Sequence, residues 1–170
     1  RSVEIWYASP AGTYSKAAEV IDSGTGYGGS GADLSVGFCT GNNAEALASK
    51  WLRGFQVSGA DGRLTIDGIF PGWYASRTTH VHFIVTANGH SSATSQLFFD
   101  DALNAEIFAS HPDYQEFGQP NTTSSNDNII GKTADKTPYM LDVQRMPDGA
   151  MLASKVVAIR GSLQDPKCSL

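Results

Sequence analysis

Short apolar stretches with strand-like alternation recur along the chain at residues 3–7, 63–67, 81–87, 93–99, 139–146 and 151–159. They are rich in Val, Ile, Phe and Tyr, and Gly, Pro, Asn and Asp separate them. This pattern limits the fold more than any other feature. A strand with one apolar face must bury that face against a second layer, so the expected architecture is mainly β. It is a single-domain β-sandwich of two mostly antiparallel or mixed sheets, with long loops and a few short helices. Asp61-Gly62 before Arg63-Leu64-Thr65-Ile66, and Pro147-Asp148-Gly149 between two strands, carry the chemistry of tight antiparallel turns. Helix is predicted only over Ala44 to Lys50 and Asp101 to Ser110, the second opened by an acidic pair suited to a helix start.

Two further stretches complete the organisation. Gly24-Thr25-Gly26-Tyr27-Gly28-Gly29-Ser30-Gly31 reads as a surface loop. It is no phosphate cradle, because the chain continues into Ala32-Asp33-Leu34-Ser35 rather than into a Lys-bearing helix. From Pro112 to Thr137 the sequence is polar with few apolar anchors, as expected of a long excursion folded over the sandwich or partly mobile. No internal repeat is visible.

The chain of 170 residues suits one domain over 1–170. Its 12 basic and 17 acidic residues give a net charge of -5 with no Lys/Arg cluster. Nucleic acid and anionic membranes both require a concentrated basic face, so a small molecule is the expected partner. No run approaches the roughly 20 apolar residues of a membrane span, and the N-terminus lacks the basic and apolar regions of a signal peptide. Arg1-Ser2 leads straight into Val3-Glu4-Ile5-Trp6-Tyr7, as in a mature or trimmed product. The two cysteines, Cys39 and Cys168, favour a disulfide that ties down the C-terminal tail over two free thiols. Together with the glycosylation acceptor pattern Asn121-Thr122-Thr123, they point to a secreted protein.

The chemistry concentrates in Ile69-Phe70-Pro71-Gly72-Trp73-Tyr74-Ala75-Ser76-Arg77-Thr78-Thr79-His80-Val81-His82-Phe83. Side chains alternate along a strand, so His80 and His82 share a face and could reach one metal. A lone His-x-His is weak, since many strands carry such a pair on a solvated face. Pro71-Gly72 can turn the chain so that Tyr74 swings toward the same region, although most tyrosines simply sit in a core with the hydroxyl at the surface. Arg77 between them is either a buried cation that stabilises an anionic substrate or an ordinary surface charge.

These residues, taken with others, resemble the intradiol ring-cleavage dioxygenases, especially the small secreted kind. Glu4-Ile5-Trp6 followed by Gly12-Thr13-Tyr14-Ser15 resembles the segment bearing the family's first tyrosine ligand, and Trp51-Leu52-Arg53-Gly54-Phe55-Gln56 resembles the strand before the central turn. Asp61-Gly62 through His82 resembles the core signature, and Thr94-Ser95-Gln96-Leu97-Phe98-Phe99 the downstream strand whose Gln lies in the active site. The likeness runs in order from residue 3 to about 101 and is diffuse beyond. It implies Fe(3+) held by Tyr14, Tyr74, His80 and His82, with Arg77, Gln96 and Tyr74 as catalytic groups. It also implies a strand and linker upstream of Val3. The N-terminal helical dimerisation region of the larger intracellular members is not present in this sequence, and a monomer or weak homodimer is expected.

Donor chemistry agrees with that metal. Phenolate oxygens are hard and anionic, so two of them favour a trivalent hard ion, with imidazole as neutral partner. Two phenolates and a hydroxide would balance the ion's charge in a low-dielectric pocket. The implied reaction is cleavage of a catechol by dioxygen to a cis,cis-muconate-type product. Tyr74 would take one substrate proton, Arg77 would stabilise negative charge on the ring, and Gln96 would orient the anhydride-like intermediate.

Two rival readings remain at this level. A noncatalytic β-sandwich module could bind an aromatic or carbohydrate ligand in the same cleft, but such a relative would be expected to have lost one of the four ligands. A cupin oxygenase also uses His-x-His, yet needs a further Glu and His, for which only Glu106, His111 and Glu116 remain, in a helix-like stretch and a polar loop. His90 is expected in a turn and His111 in a loop. Arg53 is either a partner of the site or a structural ion pair, and Trp6, Phe70 and Trp73 are expected in the core.

Overall fold

The computed structural model describes residues 1–15, 41–162 and 164–165. Cys39, Cys168 and the glycine-rich stretch 24–31 lie outside the described residues.

Four strands form one antiparallel sheet in the order β2-β1-β3-β4, where β1 is Ser2–Trp6, β2 Arg53–Val57, β3 His80–Ala87 and β4 His90–Phe98. Asn88 and Gly89 join β3 to β4, with φ of 53° and 76°. Two successive positive φ values make the turn whose twist matches paired strands, and Asn-Gly adopts it readily. The register matters more than the strand count. Trp6 lies opposite Arg53 on one side and His82 on the other, and His82 lies opposite Gln96. Arg53, Trp6, His82 and Gln96 therefore form one row across the sheet.

A second, two-stranded antiparallel sheet pairs β5 (Asp142–Arg145) with β6 (Met151–Ser154). The Pro147-Asp148-Gly149 turn closes it as expected, Met146 N–H donating to Ala150 O at 2.8 Å with Gly149 at φ 89°. Leu141 N–H donates to Phe98 O at 2.8 Å and docks this hairpin onto the end of the main sheet. Helix α1 spans Ala44–Ala48, α2 Asp101–Ser110 and α3 Pro112–Gln115. The Asp100 carboxylate caps α2 by accepting from the amides of Ala102 and Leu103. The described residues are mainly β, with two antiparallel sheets and few short helices, as the alternation implied.

Several expected strands are shorter or missing. Residues 63–67 form no strand, so Asp61-Gly62 closes a turn but no hairpin. The alternation is still obeyed, for Leu64 and Ile66 are half-buried while Arg63, Thr65 and Asp67 are exposed. Alternation reports which face is covered, not whether a neighbouring strand supplies hydrogen bonds. Within 139–146 only Asp142–Arg145 is strand, after a 3-10 turn at Thr137–Tyr139 that has Pro138 at its second position, and 151–159 is strand only to Ser154.

Two apolar clusters hold the elements together. Trp6, Ala8 and Tyr14 pack with Tyr74 and Ile84 beneath the main sheet. Ile107, Phe108 and Tyr114 gather Phe70, Trp73, Leu103, Phe117 and Met151 around the helices. The polar segment 112–137 is folded over this body, tied by Ser124 to the Asp101 carboxylate and by Asn128 N–H to Ser76 O.

Candidate metal centre

His80 and His82 project from one face of β3, and both are buried. His80 Nδ1–H donates to Thr78 O at 2.7 Å, which leaves the lone pair of Nε2 facing inward. His82 is fixed by a flat partner instead. Its ring lies parallel to the Trp6 indole, 4.9 Å between centroids and 7° between planes. Burial holds both imidazole pKa values well below the usual 6.5, aided at His80 by the Arg77 charge and at His82 by His80 and then Arg77. Both rings are therefore neutral at neutral pH, the form that binds a metal.

Two loops bring in the phenols. The Ser9–Thr13 turn is closed by Ser9 N–H to Thr13 O and Gly12 N–H to Ser9 O, each 2.8 Å, and Tyr14 follows it. Ser15 Oγ–H then donates to Trp51 O and pins the segment. Tyr74 sits at the start of a turn closed by Arg77 N–H to Tyr74 O at 2.9 Å. Glycines let the loops touch backbone to backbone. A Cβ on Gly12 would stand 2.2 Å from Trp73 O, and one on Gly72 would stand 2.0 Å from Ser9 O, so neither position has room for a side chain.

The four donor atoms converge. Tyr14 Oη lies 3.4 Å from Tyr74 Oη, 3.2 Å from His80 Nε2 and 3.1 Å from His82 Nε2. Tyr74 Oη is 3.3 Å from His80 Nε2, and the two imidazole nitrogens are 3.2 Å apart. Five of the six spacings among these atoms are thus 3.1–3.4 Å, as between donors that each lie about 2 Å from a shared centre, the length of a bond from a metal to nitrogen or oxygen. Among the described residues no three of His, Cys, Asp or Glu gather as a metal site, so the donor set depends on the phenols. Two neutral nitrogens and two oxygens that become anionic on binding fit a hard trivalent ion.

Arg77 and Gln96 stand beside the cluster. The buried guanidinium gives Nε–H to Asp127 Oδ2 at 3.0 Å, one terminal nitrogen to Gln96 Oε1, and the other to Tyr74 Oη at 3.4 Å. Gln96 Nε2 lies 3.4 Å from His82 Nδ1. Asp127 escaped the sequence reading. Its one visible sign is that no other acidic residue lies between Glu116 and Asp135.

The remaining candidates separate clearly. Arg53 pairs with Glu4 at 2.7 Å and also lies over the Trp6 ring, 5.2 Å from its centroid, so it backs the ring that backs His82. Trp6 is buried core as expected, while Phe70 and Trp73 belong to the helical cluster. His111 is exposed and caps α3, and Glu106 pairs with Arg145 at the surface, so neither supplies the ligands that a cupin would need. Glu116 is exposed as well. His90 begins β4 directly after the Asn88-Gly89 turn.

Fold and site together define a mainly β protein in which the buried Tyr14, His80 and His82 cluster with the half-buried Tyr74. No protein-family model and no curated protein matches the sequence. Solved structures do. An intradiol ring-cleavage dioxygenase from Tetranychus urticae superposes with a TM-score of 0.68 at 23% identity, over 93% of this chain and 70% of that one. A second dioxygenase crystal structure gives a TM-score of 0.65 at 22% identity over the same shares of the two chains. This chain thus has the fold of the intradiol ring-cleavage dioxygenases.

Proposed function

We propose that the protein is an Fe(3+)-dependent enzyme that splits a catechol between its two hydroxyl-bearing carbons with dioxygen, giving a cis,cis-muconate-type product. The carrying observation is the convergence of the Tyr14 and Tyr74 oxygens with the His80 and His82 nitrogens at 3.1–3.4 Å. The shared fold supports the same reading. Secretion belongs to the proposal too, supported by the exposed Asn121 of the acceptor pattern.

Tyr14, Tyr74, His80 and His82 would hold the ion. When bound there, ferric iron would draw electron density from a catechol and open a ring carbon to attack by dioxygen. The chain's own groups do the rest. Tyr74 Oη, which lies 3.4 Å from an Arg77 nitrogen, would accept one of the two protons that the catechol must lose. The Arg77 nitrogens next to it would donate to negative charge developing on the ring. Gln96 is oriented by its bond to Arg77 and would align the anhydride-like product of oxygen insertion. Burial of His80, His82, Gln96 and Arg77 excludes water, so these donors act in a medium where each counts for more.

The test is oxygen uptake by the iron-loaded protein with plain catechol, together with identification of the product acid. The expected result is one dioxygen consumed per catechol cleaved, and loss of uptake in Tyr14→Phe and His82→Ala. Iron-loaded protein that consumes no oxygen with any catechol would overturn the assignment, as would full turnover in either variant.

A further inference from the structure

We propose that Asp127 is a positioning residue for Arg77, which makes the polar segment 112–137 part of the reaction machinery rather than a surface covering. The inference rests on the catalytic reading above and extends it to a residue outside the metal cluster.

Asp127 is the hub of its segment. Its Oδ2 accepts from Arg77 Nε at 3.0 Å and from Thr78 N–H at 2.8 Å, and its Oδ1 accepts from Ile129 N–H at 2.8 Å and Ile130 N–H at 3.1 Å. Its side chain is 0% exposed and that of Arg77 10%. Gly131 N–H returns to Asp127 O at 2.9 Å, and Asn128 N–H reaches Ser76 O at 3.2 Å, so the segment clasps the Tyr74–Arg77 turn from outside.

The guanidinium shows why this matters. Its donors lie in one rigid plane, so fixing one edge fixes the others. Asp127 takes the Nε edge, Gln96 takes one terminal nitrogen, and the last nitrogen points at Tyr74 Oη. Asp127 has no direct contact with any of the four cluster atoms among its hydrogen bonds. It also neutralises the buried cation, leaving Arg77 to act through directed N–H groups instead of a free charge. Without the carboxylate the plane would rotate and both outward donors would lose their aim.

A double-mutant cycle tests this. The wild type, Asp127→Asn, Arg77→Gln and the double variant are compared for kcat per bound iron with plain catechol, and for binding of 4-nitrocatechol under nitrogen. In Asp127→Asn, kcat should fall about 10- to 100-fold, as for other groups that orient a site from behind. KM and the 4-nitrocatechol Kd should stay within about threefold, because ligand capture by the cluster is intact. In the Arg77→Gln background, removing the carboxylate should change kcat by less than about threefold. Losses that multiply across the two sites would show a mere loop anchor and overturn the proposal. Unchanged kcat in Asp127→Asn would do the same. Should the Asn variant not fold, Asp127→Glu retains the charge, and its kcat should be restored relative to Asp127→Ala if the carboxylate aims Arg77; equal rates would refute that role. A wild type that is inactive with iron sinks the catalytic reading itself, whereas an active wild type with an undiminished Asn variant sinks only the role of Asp127.

Discussion

Replacing Gly72 with Ala should separate the two tyrosine loops and weaken the metal centre. Cβ at that position would lie 2.0 Å from Ser9 O, 2.7 Å from Pro10 O and 2.8 Å from Gly12 N, all backbone atoms that cannot swing away. Relieving the shortest approach to an acceptable 3.0 Å means a shift of about 1 Å between the Ser9–Thr13 turn and the Pro71–Tyr74 segment. If the loops share it equally, each moves about 0.5 Å, more than twice the ~0.2 Å tolerance of a metal–ligand bond. Overpacking of this kind costs about 1–3 kcal/mol, and for a chain of this size that lowers Tm by about 2–12 °C. Iron affinity should fall at least about tenfold. The assay is thermal unfolding together with iron content after dialysis against a fixed chelator concentration. Gly54→Ala is the control, because nothing lies within 4 Å of its added Cβ. A Gly72→Ala protein that matched the parent in Tm and in iron retention would refute the claim that the glycines set the spacing of the phenols.

Other perturbations probe the supporting structure. Tyr114 Oη–H donates to Phe70 O at 2.7 Å, and Tyr114→Phe should cost about 1–2 kcal/mol at pH 7, measured by urea unfolding. Burial raises the Tyr114 phenol to about 12, so this group's share of stability is intact below the unfolded value near 10 and is lost as pH rises through about 12. The parent should therefore lose stability between those limits more steeply than Tyr114→Phe, and equal slopes would contradict the burial argument. Asp100→Ala removes the acceptor for two amides at the start of α2 and should lower stability by about 1 kcal/mol, read as a Tm drop of about 2–4 °C.

What could be read from the sequence, and what could not, follows from how far each residue's partners lie along the chain. His80 and His82 were legible because strand alternation alone puts them on one face. Tyr74 and Arg77 were within a few residues of that strand, although the turn that sets them is Tyr74–Arg77 itself and not the expected one at Pro71-Gly72, where the chain runs without a turn and Gly72 N–H bonds Ala8 O instead. Tyr14 was different. Its approach to His82 spans the chain from the first loop to β3, and only the likeness of separated motifs to a known family pointed to it. The Trp6–His82 stack needed the strand register, which alternation does not supply. Asp127 was hidden for the same reason in stronger form: a carboxylate in a polar stretch looks solvated until the segment folds back over Arg77. The alternating stretch at 63–67 misled in the opposite direction, since half-burial of Leu64 and Ile66 requires no ladder partner.

The visible absorption spectrum of the purified, iron(III)-loaded protein addresses the centre most directly. Two phenolates bonded to ferric iron should give a reddish charge-transfer band that shifts when catechol is added under nitrogen and weakens in Tyr14→Phe. A fully iron-loaded protein that is colourless above the aromatic absorption, or whose band is untouched by loss of the Tyr14 hydroxyl, would contradict the joint grip of Tyr14, Tyr74, His80 and His82 on one ion.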